Sequence, residues 1–187
     1  VTGPIDRDNI RRLVIAALDA RSGGRASGGA SAGDGRKTIA IGADHGGFQL
    51  KTALARYLDE ELGWRVVDHG THSEEAVDYP DIALPVALAV ARGEAAYGLL
   101  IDGAGIGSTM AANKVRGVRA ALCHDERTAR NAREHNNANV LALGAGSVQR
   151  GLARRIVRIF VETPFAGGRH ERRVAKIMAI EAPQAER

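Results

Sequence analysis

From residue 38 onward, short apolar runs alternate with amphipathic stretches, and this pattern limits the possible folds more than any other feature of the chain. TIAIGAD (38–44), WRVVDHG (64–70), YGLLIDG (97–103), VRAALCH (118–124) and NVLALGA (139–145) have the length and β-branched or aliphatic content of buried strands, and each ends in polar or glycine residues. Between them, helical spacing is expected near 47–62, 80–92, 107–115, 125–134 and 148–162, with a last helix near 170–181. Strands that alternate with helices call for a parallel sheet covered on both faces. Aromatic residues make up only 4% of the chain, so its core must be built from Ala, Val, Leu and Ile, which suits such a sheet. Ligands of these sheets sit outside the carboxyl ends of the strands. There the sequence places Asp44-His45, Asp68-His69, Asp102-Gly103, Cys123-His124 and Gly144.

The segment before residue 38 is of another kind. Residues 1–20 hold an amphipathic stretch, with Ile10, Leu13, Val14, Ala17 and Leu18 at helical spacing and Asp6 or Asp8 available as an N-cap. Residues 21–37 are rich in Gly, Ser and Ala, the composition of a flexible linker. A short helix on such a tether is not stable alone in water and needs a surface to dock on. Two readings stand: an ordinary terminal extension, or a docking peptide formed by residues 5–20. The second resembles the encapsulation peptides that carry enzymes into bacterial microcompartments and implies a shell partner. Residues 38–182 form the main domain and 183–187 a tail.

The net charge is +4, with basic residues crowding both ends of the chain. Charge alone would allow a nucleic-acid binder, but there is no aromatic stacking platform, zinc spacing or helix-turn-helix signal, so no nucleic-acid partner is expected. No apolar run reaches membrane-spanning length and no signal-peptide pattern is present, which predicts a cytosolic protein with no membrane partner. The single cysteine, Cys123, excludes an internal disulfide and fits a reducing compartment.

Four clusters could carry chemistry. Asp102-Gly103-Ala104-Gly105-Ile106-Gly107 lies between an apolar strand and a helix; glycines let main chain approach a ligand, and free N–H groups attract anions. The same loop could be a plain strand-to-helix turn or a dinucleotide fingerprint, with Asp125 near the distance of a ribose contact. Against a dinucleotide, the spacing is G-x-G-x-G, the loop follows the third strand, and no length remains for a second catalytic domain. Asp44-His45-Gly46-Gly47 could hold hydroxyls or phosphate, or simply open a helix. In Arg133-Glu134-His135-Asn136-Asn137-Ala138-Asn139, a histidine followed by two asparagines points to a polar cleft and proton transfer. In Gly167-Gly168-Arg169-His170-Glu171-Arg172-Arg173, Arg169 and Arg173 share a helical face and could fork one phosphate, or form a solvated face.

Taken in order, DHGGFQLK, DYPDIA, the glycine loop with AANK, REHNNANVLALG and GGRHERRV closely resemble the ribose-5-phosphate isomerase B and galactose-6-phosphate isomerase family, from about residue 38 to 181. The resemblance implies a Rossmann-like three-layer α/β/α sandwich with a five-stranded parallel sheet. It implies a homo-oligomer, dimer or tetramer, with active sites between subunits. It also implies aldose–ketose isomerisation of a phosphorylated sugar through an enediolate, with no metal and no cofactor. By position, His135 opens the sugar ring while Asp44 and Asn136 hold hydroxyls. His45, Arg169 and Arg173 bind phosphate, the arginines acting in a neighbour's site. Tyr79 lines the pocket, and the amides of Gly103, Gly105 and Gly107 face the developing oxyanion.

Departures from the pattern concentrate in the loop. Asp102 stands where one branch has a catalytic cysteine, Ser108 where the other has a glutamate, and Ala104 where a Ser or Thr assists proton transfer. Gly146 replaces a phosphate-binding arginine, a loss that Arg150 could cover. Asp102 is the expected carbon base, since a carboxylate can take a proton beside a carbonyl. The expected reaction is ribose 5-phosphate to ribulose 5-phosphate. Its rivals are a tetrose, deoxypentose or hexose phosphate, or a non-catalytic sugar-phosphate-binding protein.

Overall fold

The computed structural model describes residues 35–181; the expected N-terminal helix, most of the linker and the tail lie outside the described residues. The elements are β1 (Thr38–Ala43), α1 (Phe48–Arg56, continued by a π-turn, Tyr57–Glu61), β2 (Arg65–Asp68), α2 (Tyr79–Ala91), β3 (Tyr97–Asp102), α3 (Ile106–Ala112), β4 (Ala120–Leu122), α4 (Glu126–Asn136), β5 (Val140–Gly144), α5 (Arg150–Glu162) and α6 (Arg169–Ala179). Every strand run and helical stretch read from the main-domain sequence is present. All strand pairs are parallel, in the order β2-β1-β3-β5-β4.

The period of two divides the strands between two apolar layers. Ile39, Ile41, Leu99, Ile101, Leu141 and Leu143 pack with Leu54, Leu58, Ile156 and Phe160 of the α1 and α5 layer. Ala40, Leu100, Val140 and Ala142 pack with Ala83, Val86, Ala87 and Val90 of α2. The second face is lined by small residues because α2 comes very close: a Cβ on Gly42 would lie 2.7 Å from Ile82 Cγ2. The edges are guarded. β4 has only three residues, and the Asn113 side chain of AANK pairs with both backbone groups of Ala120, accepting at 2.8 Å and donating at 3.0 Å. Lys51 of DHGGFQLK is 1% exposed, and its ammonium donates to both Asp68 oxygens (2.5 and 2.6 Å), tying α1 to the end of β2.

The chain winds from β1 to β2 on one side and then to β3 on the other, so the crevice of the sheet opens between the carboxyl ends of β1 and β3. Those two ends are welded together. Asp44 N–H donates to Ile101 O at 3.1 Å. A Cβ on Gly47 would stand 2.4 Å from the same carbonyl oxygen, a main-chain atom of a central strand that cannot yield. Gly47→Ala is therefore expected to cost about 3 kcal/mol, read as a lower denaturation midpoint in urea. An unchanged midpoint would mean that α1 shifts away without cost.

Candidate active site

Two loops meet at the crevice. After β1, Asp44 Oδ1 accepts from Gly47 N–H at 2.9 Å, which turns the chain into α1, while His45 stays exposed and its Nδ1 accepts from Val77 N–H at 3.4 Å. After β3 comes the glycine loop. Gly105 has φ +78°, and a Cβ there would lie 2.9 Å from Gly144 N, so a side chain is excluded on two counts. A Cβ on Gly46 would be 3.7 Å from Gly103 Cα, which brings the two loops into contact. Tyr79, the first residue of α2, spreads its ring over Gly107, where a Cβ would come within 2.5 Å of it. Asp44, His45, Tyr79 and the glycines thus share one edge, as expected.

Asp102 closes this loop from below. It is 4% exposed; Oδ1 accepts from Ala104 N–H (2.9 Å) and Gly105 N–H, and Oδ2 accepts from Ser108 N–H (2.9 Å). Burial by itself would push this carboxyl up. The Ser108 hydroxyl and the three amides outweigh it and hold the carboxyl below the usual range. Of the amides expected to face a substrate oxygen, that of Gly105 is engaged by Asp102, whereas those of Gly103 and Gly107 have no partner among the described residues. Gly103 borders open space, with nothing within 4 Å of a Cβ.

His135, Asn136, Arg169 and Arg173 lie elsewhere. α4 leaves the carboxyl end of β4 and returns to the amino end of β5, where Asn139 N–H donates to Arg119 O at 3.1 Å. His135 and Asn136 end α4, so they sit at the amino edge of the sheet. β3 has six residues, which at ~3.3 Å per residue places the two edges roughly 17 Å apart. His135 stacks on His170 with ring centroids 4.2 Å apart and planes 5° from parallel, and Asn131 Nδ2 lies 2.8 Å from His135 Nδ1. Arg169 Nε approaches His170 Nε2 at 3.4 Å. No hydrogen bond, ion pair or ring contact among the described residues joins this group to the Asp102 loop.

Several polar residues prove to be structural. Arg133 is 5% exposed and donates to Tyr97 Oη (2.8 Å) and the carbonyls of Ala138 (2.5 Å) and Thr163 (3.2 Å). Asn137 caps α4 with φ 47°, and Asn139 clamps Arg119 N–H (2.7 Å) and Gly117 O (2.9 Å). Half of the asparagine run therefore ends a helix, for which Asn is suited by its tolerance of left-handed backbone. Asp125 caps the start of α4 by accepting from Thr128 N–H at 2.7 Å, which removes the ribose contact a nucleotide reading would need. His170 joins the cluster of His135 and Arg169 and was not singled out by sequence reasoning. It is 7% exposed, and burial together with His135, Arg169 and Arg173 holds its imidazole below the ordinary histidine value, against an opposing pull from Glu134. Its position inside GGRHERR, next to a candidate phosphate ligand, was the available signal.

Cys123 is 1% exposed, and burial pushes its thiol up to about 11. A thiol held neutral in this way does not act as a base or nucleophile. Iodoacetamide is expected to leave the folded protein unmodified and to label Cys123 only after denaturation, followed by mass spectrometry. Rapid labelling with loss of function would place Cys123 in the site after all.

A family model described as Ribose/Galactose Isomerase matches residues 39–177. Ribose-5-phosphate isomerase B of Escherichia coli is 48% identical over 145 residues, which is 78% of this chain and 97% of that protein. D-erythrulose-4-phosphate isomerase of Pectobacterium atrosepticum is 41% identical over 141 residues, 75% of this chain and 92% of that protein. The solved ribose-5-phosphate isomerase B of Clostridium thermocellum has the same fold, with a TM-score of 0.77 at 49% identity over 79% of this chain and 99% of that one.

Proposed function

Because the chain belongs to the ribose/galactose isomerase family and is a sugar-phosphate isomerase, we propose that it interconverts ribose 5-phosphate and ribulose 5-phosphate in a site built from two subunits. The observation that carries this reading is the division of the candidate residues between opposite edges of one sheet. The carbon chemistry of the Asp102 loop and the ring-opening and phosphate group of His135, Arg169 and Arg173 cannot meet within one chain. A second copy, docked edge to edge, supplies the missing half. α6 and α3 support such docking, since Ile177 (45% exposed), Ile180 (70%) and Met110 (63%) present apolar surface outward.

In the assembled site, His135 takes the proton of the anomeric hydroxyl and delivers it to the ring oxygen as the ring C–O bond breaks, which opens the sugar, with Asp44 and Asn136 holding hydroxyls. Arg169 and Arg173 grip the phosphate together with His45. Asp102 removes the proton beside the carbonyl, and loop amides receive the negative charge that forms on oxygen. Ala104 carries no hydroxyl to pass a proton between oxygens, so that transfer runs directly or through water.

The similarity to a D-erythrulose-4-phosphate isomerase favours one second reading, a four-carbon substrate. It gains weight from Gly146, whose N–H donates to Gly103 O at 3.0 Å and which offers no side chain to a phosphate. A panel of aldose and ketose phosphates of four to six carbons, scored by kcat/KM, tests the choice. Turnover is expected to be greatest with ribose 5-phosphate. A tetrose phosphate ahead by tenfold overturns the pentose assignment, and binding without turnover of any sugar overturns the catalytic one.

A further inference from the structure

The Asp102 carboxylate holds the amide of Gly105, one of those that would receive a substrate oxyanion. Three N–H groups, from Ala104, Gly105 and Ser108, converge on its two oxygens. These donors are main-chain groups, joined by the Ser108 hydroxyl. Beside it, Gly103 opens on unfilled space and its amide has no partner among the described residues. Two negative charges cannot share one set of donors, because neither could be ionised without repelling the other.

We infer that Asp102 is a two-position group, seated in the loop's amides in the free protein and turned out toward Gly103 when a substrate carbonyl oxygen takes its place at Gly105. This rests on the isomerase reading and deepens it, since substrate entry itself would then release the base. The donors given up by the carboxylate are taken by the substrate oxygen, which becomes charged as the enediolate forms. The released carboxylate is also a better base. The donors that hold it below the usual carboxylate range are gone. The proton on the carbon beside the carbonyl then passes to Asp102, and the C–H electron pair forms the double bond of the enediolate. The former carbonyl oxygen carries the charge among the amides. Asp102 returns its proton to the neighbouring carbon, and the adjacent hydroxyl proton moves to the former carbonyl oxygen, which completes the ketose.

The test uses the full chain and two probes whose terminal carboxylate mimics the enediolate oxygen, 5-phospho-D-ribonate and 4-phospho-D-erythronate. Asp102→Ala empties the amides, so the better-fitting probe is expected to bind at least tenfold tighter than to the native chain by calorimetry. A gain below twofold overturns the inference. A crystal structure of the native chain with the same probe gives a reading independent of the variant. Asp102 is expected out of hydrogen-bond reach of Gly105 and Ser108 with a probe oxygen in its place; Asp102 still seated there overturns the inference. Native turnover with no gain in the variant removes this device and leaves the isomerase reading intact. A gain in the variant without native turnover of any sugar phosphate removes the isomerase reading and leaves the resting position of Asp102.

Discussion

Asp102→Asn is expected to lower kcat about 10³-fold without raising KM for the preferred sugar phosphate, because proton abstraction contributes to the transition state, and a neutral Asn competes with a substrate oxygen for the loop amides no more strongly than the carboxylate does. The substitution keeps size and shape, and its side-chain oxygen can still accept from Ala104 and Gly105, so the loop should keep its form. What it removes is the capacity to hold a proton taken from carbon. Steady-state kinetics beside a thermal melt separate the two roles open to this residue. If Asp102 merely organised the loop, Asn would lower the melting temperature and raise KM together, and kcat would fall little. Retention of a tenth or more of native kcat would remove Asp102 as the base. No other side chain described in the loop could replace it, since position 104 is an alanine and Ser108 is buried against Asp102.

The second large effect is a gain. Asp102→Asn and His135→Ala should each be nearly inactive alone, yet mixing their subunits should restore about a quarter of native activity. Random pairing makes half of the dimers mixed, and in each of these one of two sites has both halves native. This expectation follows from the sheet, whose two edges lie roughly 17 Å apart along β3 and carry the glycine loop at one end and His135 at the other, farther than a sugar phosphate can bridge with its reacting atoms in contact with both. Refolding the two variants together and assaying the mixture performs the test, with native mass spectrometry to verify that mixed oligomers form. Mixed oligomers without activity would place both groups in the same subunit's site and refute the division.

The order of elements was legible because buried parallel strands carry almost unbroken apolar runs, and their covering helices repeat small and aliphatic residues at a different period. The sequence was also a good guide to which polar residues cluster at strand ends, as Asp44, Tyr79 and the glycines show. It was a poorer guide within polar runs. Among the six polar residues from Arg133 to Asn139, Arg133 is buried against Tyr97, Glu134 pairs with Arg130, Asn137 caps a helix and Asn139 clamps a loop, which leaves His135 and Asn136 as candidates. Residue type does not separate these fates, because each is decided by groups distant in the chain.

What the chain's own sequence determined, then, is its family, its α/β layering, and the presence of a glycine loop with a carboxylate in place of the usual occupants. These follow from local pattern and from residue identity. The tertiary structure decided that Asp102 turns into its own loop, that Cys123 is sealed in the core, and that His135 travels with Arg169 to the far edge of the sheet. Each of these depends on direction in space: where an amide points, which face a strand residue takes, and at which end of a strand a helix comes down. Such directions arise only when non-local contacts close the fold, since no short stretch of sequence carries the partner that fixes them.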